Sequence, residues 1–394
     1  MKPYRSFPYV FLIASLFLSA CGNVISIPAA ETETHFTPTP FTIKRTPTPE
    51  PAPTFDIDPG SEITVTPIEL QAGYGVRGPW FELYFTNPAS PLSPQGTGGL
   101  DGPLVEAIDA ARLSIDVAAY SLSLNSVRYA LIRAHDRGVT VRVVMESSNM
   151  DRSDPQRLIE AGIAIVGDNR QGLMHDKFMI IDRSEVWLGS MNFTDGGAYD
   201  DNNNLMRIRS TDIVADYLVE FEEMFNEDMF GPDILARTPH PTVTIAGTRL
   251  DVFFSPDDGV LAGLVPLLEG AQESIYFLAY SFTSNQLGEI IRQKAEAGIT
   301  VAGVMDAEQV RSNQGTEFDP FRQADLDVRL DGIDGLMHHK VLIIDKKIVV
   351  FGSYNFSQSA EERNDENLII VYDPVIAGQF LLEFQRVWAE AQRE

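Results

Sequence analysis

Two histidines, two lysines and two asparagines recur in this chain at one spacing, and together they could transfer a phosphoryl group. The pattern is His-x-Lys-x4-Asp-x6-Gly-Ser-x-Asn. It occurs first as His175, Lys177, Asp182, Gly189, Ser190 and Asn192, and again as His338, Lys340, Asp345, Gly352, Ser353 and Asn355. A phosphodiester is anionic, so a nucleophile approaching phosphorus needs cations and hydrogen-bond donors around it. Lys177 and Lys340 can supply the charge, Asn192 and Asn355 can donate to non-bridging oxygens, and Ser190 and Ser353 add hydroxyls. One neutral imidazole could attack phosphorus while a second, protonated one gives its proton to the leaving alcohol. A single copy lacks that second imidazole, so the duplication implies one site built from both halves.

The duplicated motif resembles the signature of the phospholipase D superfamily, and the resemblance extends over nearly all of the chain beyond about residue 76. It implies a phosphodiesterase that works without metal through a covalent phosphohistidine. It also implies a carboxylate partner for the catalytic histidines. Glu366 stands at that position after His338, whereas the equivalent position after His175 is Asn203, a departure. A carboxylate favours imidazolium and an amide leaves the ring neutral. On that reading Glu366 serves His338 as general acid, and Asn203 leaves His175 as the nucleophile. Asp200 and Asp201 are alternative carboxylates beside Asn203, and the roles can exchange when water attacks the intermediate.

Asp182 and Asp345 end apolar runs just before short turns, where an aspartate commonly accepts from backbone amides, so their expected role is structural. His339 adjoins His338, but on a strand it would face the other way, as a packed or surface residue. His35, His135 and His240 belong to no motif. No Asp, Glu and His set shows metal-ligand spacing, and with two lysines present neither a metal nor another cofactor is expected.

The elements that must carry these residues also repeat. Ala110-Ala111 and Ser114-Ile115, followed by Ala119-Tyr120-Ser121, match Gly270-Ala271 and Ser274-Ile275, followed by Ala279-Tyr280-Ser281. Amphipathic helices are predicted over Val127 to Arg137 and Gln286 to Ala297, each stopped by a glycine, Gly138 or Gly298. Buried strands follow over Val139 to Met145 and Ile299 to Met305, and each motif reads as strand–turn–strand. Closing helices are expected over Ile213 to Phe225 and Val375 to Trp388. The fold class is therefore α/β: two pseudo-twofold-related phospholipase D-like repeats, 76–232 and 240–394, each a sheet flanked by helices, with the site at their interface.

At the N-terminus Lys2 and Arg5 precede an apolar run from Phe7 to Ala20, too short to span a bilayer, and residues 1–20 read as a cleaved signal. Leu18-Ser19-Ala20-Cys21 resembles a lipoprotein lipobox, which makes the sole cysteine, Cys21, the expected site of lipid attachment. The expected setting is extracytoplasmic, as a bacterial lipoprotein on the cell membrane. Residues 21–75, rich in Thr and Pro, are expected to be a tether, and about fifty such residues reach roughly 40 Å.

With 30 basic against 56 acidic residues the net charge is −26, which argues against extended nucleic-acid binding. The expected substrate is a phospholipid. A metal-independent extracytoplasmic nuclease and a non-catalytic binding lipoprotein are the alternatives. Substrate choice is expected in the dissimilar segments Glu146 to Arg157 and Asp306 to Gln323. Two motifs in one chain remove the need for a dimer without forbidding one.

Overall fold

The motif strands are apolar at every position between the lysine and the aspartate, so both of their faces must be covered. In the computed structural model, which describes residues 63–232 and 235–392, they are. Phe178 and Ile180 face a central core shared by both repeats, while Met179 and Ile181 face a core private to the first. Val341 and Ile343 join the same central core, and Leu342 and Ile344 face a private core of the second repeat. Period-two alternation between two apolar cores, rather than between core and water, marks these as interior strands.

The first repeat starts with β1 (Thr66–Leu70), β2 (Gly73–Arg77) and β3 (Phe81–Thr86), then α1 (Asp101–Ala110) and β4 (Ser114–Ala119). It continues through α2 (Asn125–Asp136), β5 (Thr140–Met145), α3 (Ser153–Glu160) and β6 (Ala164–Gly167). The motif hairpin is β7 (Lys177–Ile181) and β8 (Glu185–Gly189), followed by β9 (Asn204–Ile208) and the long α4 (Thr211–Glu227).

The second repeat runs in parallel: β10 (Thr242–Ile245), β11 (Thr248–Ser255), α5 (Val260–Gly270), β12 (Ser274–Ala279), α6 (Asn285–Glu296) and β13 (Thr300–Met305). Short helices α7 (Ala307–Ser312) and α8 (Phe318–Gln323) precede β14 (Asp327–Leu330). The hairpin β15 (Lys340–Ile344) and β16 (Ile348–Gly352), α9 (Gln358–Glu362), β17 (Glu366–Tyr372) and α10 (Pro374–Glu390) complete it.

The sheet orders are β1-β2-β3-β9-β8-β7-β4-β5-β6 and β10-β11-β17-β16-β15-β12-β13-β14. In each, the strand beside the motif hairpin, β4 or β12, is antiparallel to it and parallel to the next strand out, as in Ala119 opposite Lys177 and Ala279 opposite Lys340. The two sheets lie on either side of the central core, to which α4 and α10 contribute Tyr217, Phe221, Phe380 and Phe384. Helices α1 and α2, and α5 and α6, cover the outer faces.

The predicted helices, buried strands and motif hairpins are all present, and Gly138 and Gly298 take positive φ at the two helix ends. One boundary needs correction. Strand pairing is present at the end of the segment expected to be tether: β1 and β2 pair from Thr66↔Arg77 to Leu70↔Gly73, and β2 pairs with β3. The Thr- and Pro-rich composition made the stretch read as tether, but an edge strand tolerates proline, and Ile68 and Leu70 pack against the first repeat's core. Residues 1–62, with the expected signal, Cys21 and most of the tether, lie outside the described residues. Among the described residues no helix is long and apolar enough to cross a membrane. The segment Asp306 to Gln323, expected as loop, holds α7 and α8.

The motif aspartates hold the sheet rather than the substrate. Asp182 accepts from the amides of Arg112, Leu113 and Ser114 at 2.7–3.2 Å, and Asp345 from those of Gln272, Glu273 and Ser274 at 2.7–3.0 Å. The partners belong to the loop before the central strand, some seventy residues away, and not to the aspartate's own turn. Each carboxylate gathers three charge-assisted bonds, so Asp345→Ala should lower the urea-unfolding free energy by about 2 kcal/mol. An unchanged denaturation midpoint would show that the turn holds without it.

Candidate functional site

Each motif histidine precedes the hairpin strand whose first residue is its lysine. The backbone N–H of His175 donates to Asp365 O at 2.9 Å, and that of His338 to Asn202 O at 3.0 Å. These bonds tie each histidine segment to the other repeat, and short parallel bridges, Met174↔Asp365 and Asn202↔Met337, do the same. The lysines fold back: Lys177 Nζ donates to His175 O at 2.5 Å and Lys340 Nζ to His338 O at 2.6 Å. Lysine, histidine and strand end are thus one unit in each half.

The side-chain partners also cross. His175 Nδ1 lies 2.7 Å from Glu366 Oε2, and His338 Nδ1 lies 2.9 Å from Asn203 Oδ1. The expected pairing was the reverse, with Glu366 on His338 and Asn203 on His175. Sequence position within a repeat misleads here because the pseudo-twofold axis runs between the histidines, and each strand end reaches over it. The next residues along cross too: Asn367 Nδ2 donates to Asp176 Oδ1 at 2.6 Å, and Asn204 Nδ2 to His339 Nδ1 at 2.9 Å.

The turns that follow support these partners. Ser190 Oγ donates to Asn203 Oδ1 at 2.8 Å and accepts from the Asn204 amide, while Ser353 Oγ accepts from the Asn367 amide at 3.0 Å. The glycine before each serine is obligatory. A Cβ on Gly189 would meet Asn204 O at 2.4 Å, and one on Gly352 would meet Asn367 O at 2.3 Å. Asn192 and Asn355 follow, each with a buried Oδ1 lacking a hydrogen-bond partner among the described residues.

Two contributors were missed. Tyr120 packs edge-on against His175 at 4.9 Å and Tyr280 against His338 at 4.7 Å between ring centroids. Lys177 Nζ lies 5.1 Å above the first ring and Lys340 Nζ 4.6 Å above the second. Each tyrosine thus packs on both the lysine and the histidine of its own repeat. Their signal was visible in the repeated Ala-Tyr-Ser, which only the matched helices and strands had been used to explain. Glu146 and Asp306, expected to lie in recognition loops, instead accept from the amides of Met174 and Met337 and hold the histidine segments.

Electrostatically the cleft is a buried cationic site. Burial, with Lys177 and Lys340 nearby, holds both catalytic-motif histidines well below the ordinary imidazole range. Burial pushes Lys177 down to about 8 and Lys340 in the same direction. It pushes Glu366 up to about 7 against the pull of Lys177. Among the described residues no group of three or more His, Cys, Asp or Glu is placed to hold a metal ion.

Behind the cleft the pseudo-symmetry fails. His339 is buried as a packed residue, with Nε2 2.8 Å from Glu383 Oε1. Arg386 donates to both Glu383 and Asn202. Burial would raise Glu383, but Arg386 and His339 hold it down to about 2. The corresponding positions of the first repeat are Asp176, Glu220 and Glu223, all carboxylates and all buried. Asp176 Oδ2 has no hydrogen-bond partner among the described residues, and burial lifts this group to about 7.

Comparison with known proteins follows this geometry. A family model described as cardiolipin synthase, PLD-like domain, matches residues 104–225 and again 264–388, once per repeat. The chain is similar to a phospholipase D of Rickettsia prowazekii, 34% identical over 140 residues, which are 35% of this chain and 66% of that one. It is similar to the mitochondrial cardiolipin hydrolase of Mus musculus, 35% identical over 130 residues, 33% of this chain and 58% of that one. The matched region is thus under two thirds of the length of either relative. The solved phosphatidylserine synthase of Haemophilus influenzae Rd KW20 shares the fold over 75% of this chain and 86% of that one, with a TM-score of 0.59 and 13% identity.

A raised carboxyl favours the folded state while it is protonated, and that contribution is lost as pH rises from the unfolded value through the folded one. For Asp176 the window runs from about 4 to about 7. Asp176→Asn keeps an acceptor for Asn367 and removes the charge. It should raise the melting temperature at pH 8 by at least about 3 °C and change it little at pH 4. Equal shifts at both pH values would show that the carboxyl does not titrate in this window.

Proposed function

The chain belongs to the phospholipase D superfamily, and on that premise we propose that it is a phospholipase D-type phosphodiesterase acting on phospholipids through a covalent phosphohistidine. The observation that carries this reading is the crossed pairing, which gives the two imidazoles different supports inside one cationic cleft. With Glu366 accepting from Nδ1–H, His175 presents the Nε2 lone pair, and the carboxylate balances the positive charge that the ring gains on bonding phosphorus. His175 is thus the nucleophile, for the opposite reason to the one the spacing suggested. His338, bonded only to the neutral Asn203 amide, is the better proton donor once the anionic substrate has restored its proton.

In the first step His175 Nε2 bonds to phosphorus, the bond from phosphorus to the alcohol oxygen breaks, and His338 Nε2–H protonates that oxygen. Lys177 and Lys340, with Asn192 and Asn355, hold the non-bridging oxygens as charge develops. In the second step water attacks phosphorus and gives its proton to His338 while the nitrogen–phosphorus bond breaks. The products are the free alcohol and phosphatidic acid, and another alcohol in place of water gives transphosphatidylation. Ser190 and Ser353 orient the partners, and Tyr120 and Tyr280 pack against the imidazoles and fix their rings.

A lipid substrate is supported by the names of the similar proteins and by the acidic composition, which is unsuited to tracking a polyanion. Lipid attachment at Cys21, with the enzyme held at the outer face of the cell membrane by its tether, belongs to the same proposal.

The test uses the protein from residue 60 onward, in EDTA, on phosphatidylcholine, cardiolipin and single-stranded DNA, with His175→Ala as blank. Phosphatidic acid should appear only with the unmutated protein. Cleavage of DNA without lipid would replace the reading with a nuclease. His338→Ala should release one equivalent of p-nitrophenol from p-nitrophenyl phosphodiesters, whose leaving group needs no proton, and then stall at the phosphohistidine, whereas His175→Ala should release none. Equal loss in both would refute the division of roles. Because Lys177 loses its charge above about pH 8, kcat/KM should fall above that pH, and a profile flat to the ordinary lysine range would deny it the role of phosphate-binding cation.

A further inference from the structure

Four edge strands bound the two sheets, β1 and β6 in the first and β10 and β14 in the second. Proline, charge or a covering segment is what keeps an exposed edge from pairing, and three of the four are protected in these ways. Pro67 interrupts β1, and Pro241 immediately precedes the short β10. β14 carries Asp327 and Arg329, and the chain that follows α10 caps its end. There Gln392 N donates to Leu330 O at 2.8 Å, and a Cβ on Gly332 would meet Glu390 O at 2.1 Å. β6 has no such protection. Its residues, Ala164, Ile165, Val166 and Gly167, are small or apolar and pair with β5 on one side only. Among the described residues, Ala164, Ile165 and Val166 make no hydrogen bond beyond that ladder.

The second repeat shows what this position accommodates. β14 is the counterpart of β6, and its edge receives an antiparallel bridge from the chain itself, Leu330↔Gln392. The counterpart of Gln392 after α4 is Met229, whose N–H turns back to Glu223 O at 3.0 Å. Gly231 N then donates across to Asp365 Oδ1 at 2.7 Å. The first repeat thus sends its own chain elsewhere and leaves the edge open.

The flanks of β6 are open as well. Ile159 of α3, the helix that packs against β6, is 41% exposed. A hollow of about 410 Å³ beside Ala164 is walled by Thr140, Gly162 and Phe225. Arg157 and Glu160 lie close to one turn apart on α3, both exposed, and neither has an ion-pair partner among the described residues.

We propose that β6 is a self-association edge, which joins two copies of this chain by antiparallel pairing of β6 with β6 about a twofold axis. Such an axis matches each unpaired backbone group to its own counterpart, so a second copy completes the ladder. The same axis sets the two α3 helices antiparallel. Arg157 of each copy then meets Glu160 of the other, and Ile159 is covered. Because the twofold turns one sheet end for end, the two catalytic clefts open at opposite ends and neither is blocked. The inference is independent of the substrate.

Sedimentation equilibrium tests it on the chain lacking only residues 1–21, which keeps every described residue. Salt of about 0.15 M screens the repulsion between two acidic copies. The mass should rise to that of a dimer at micromolar concentration. Ala164→Lys should leave a monomer with unchanged melting temperature and unchanged activity on bis(p-nitrophenyl) phosphate. Arg157→Glu and Glu160→Arg should each weaken association at least about tenfold, and an equimolar mixture of the two should recover it. Recovery on mixing requires that opposite charges meet across two copies. A monomer at every concentration up to the millimolar range overturns the proposal. A dimer that Ala164→Lys leaves intact, or a mixture no tighter than its components, overturns it equally.

Discussion

Everything at the catalytic centre depends on four hydrogen bonds that cross the pseudo-twofold axis. His175 to Glu366, His338 to Asn203, Asp176 to Asn367 and His339 to Asn204 each join one repeat to the other. A bond to a charged group is worth about 1.5–3 kcal/mol, too little to hold two sheets together against the entropy of independent motion. That work falls to the shared apolar core of Phe178, Tyr217, Phe254, Phe351 and Phe380. With the docking energy supplied there, the crossed bonds are free to set ring orientation. The site is rigid because apolar packing on both faces of each motif strand fixes where His175 and His338 begin.

The same burial that excludes water also strains the charges. Two ammonium groups, Lys177 and Lys340, share a cleft with carboxylates that burial keeps near neutrality. The second repeat balances its interior with His339, Glu383 and Arg386, and the first leaves Asp176, Glu220 and Glu223 together. Duplication copied the backbone, and the two copies then diverged where a side chain could change without moving a strand. Asymmetry of roles, which a reaction with one nucleophile and one acid requires, sits in these polar positions.

Most of the fold was legible because period-two strands, glycine-stopped helices and the repeat all spoke to the same α/β plan. Duplication alone picked out the motif residues that the structure gathers about the pseudo-twofold axis. Two things were not. The hairpin of β1 and β2 was hidden because it ends a Thr- and Pro-rich stretch, where pairing with β3 overrides the composition. The partner of each histidine was hidden because spacing along one chain cannot show which side of an axis a side chain reaches. Tyr120 and Tyr280 lay inside a noted repeat, and only the packing of ring on ring shows why that tyrosine recurs.

The crossed bonds also have a temporal meaning. They join residues separated by 191 and 135 positions, so each half-site depends on residues made much later or much earlier in the chain. A growing chain exposes His175 and Lys177 long before Glu366 has been made. Until the second sheet has docked, the first motif has a histidine with no carboxylate and no second imidazole. The two half-sites are therefore joined only when the last strand, β17, takes its place beside β16.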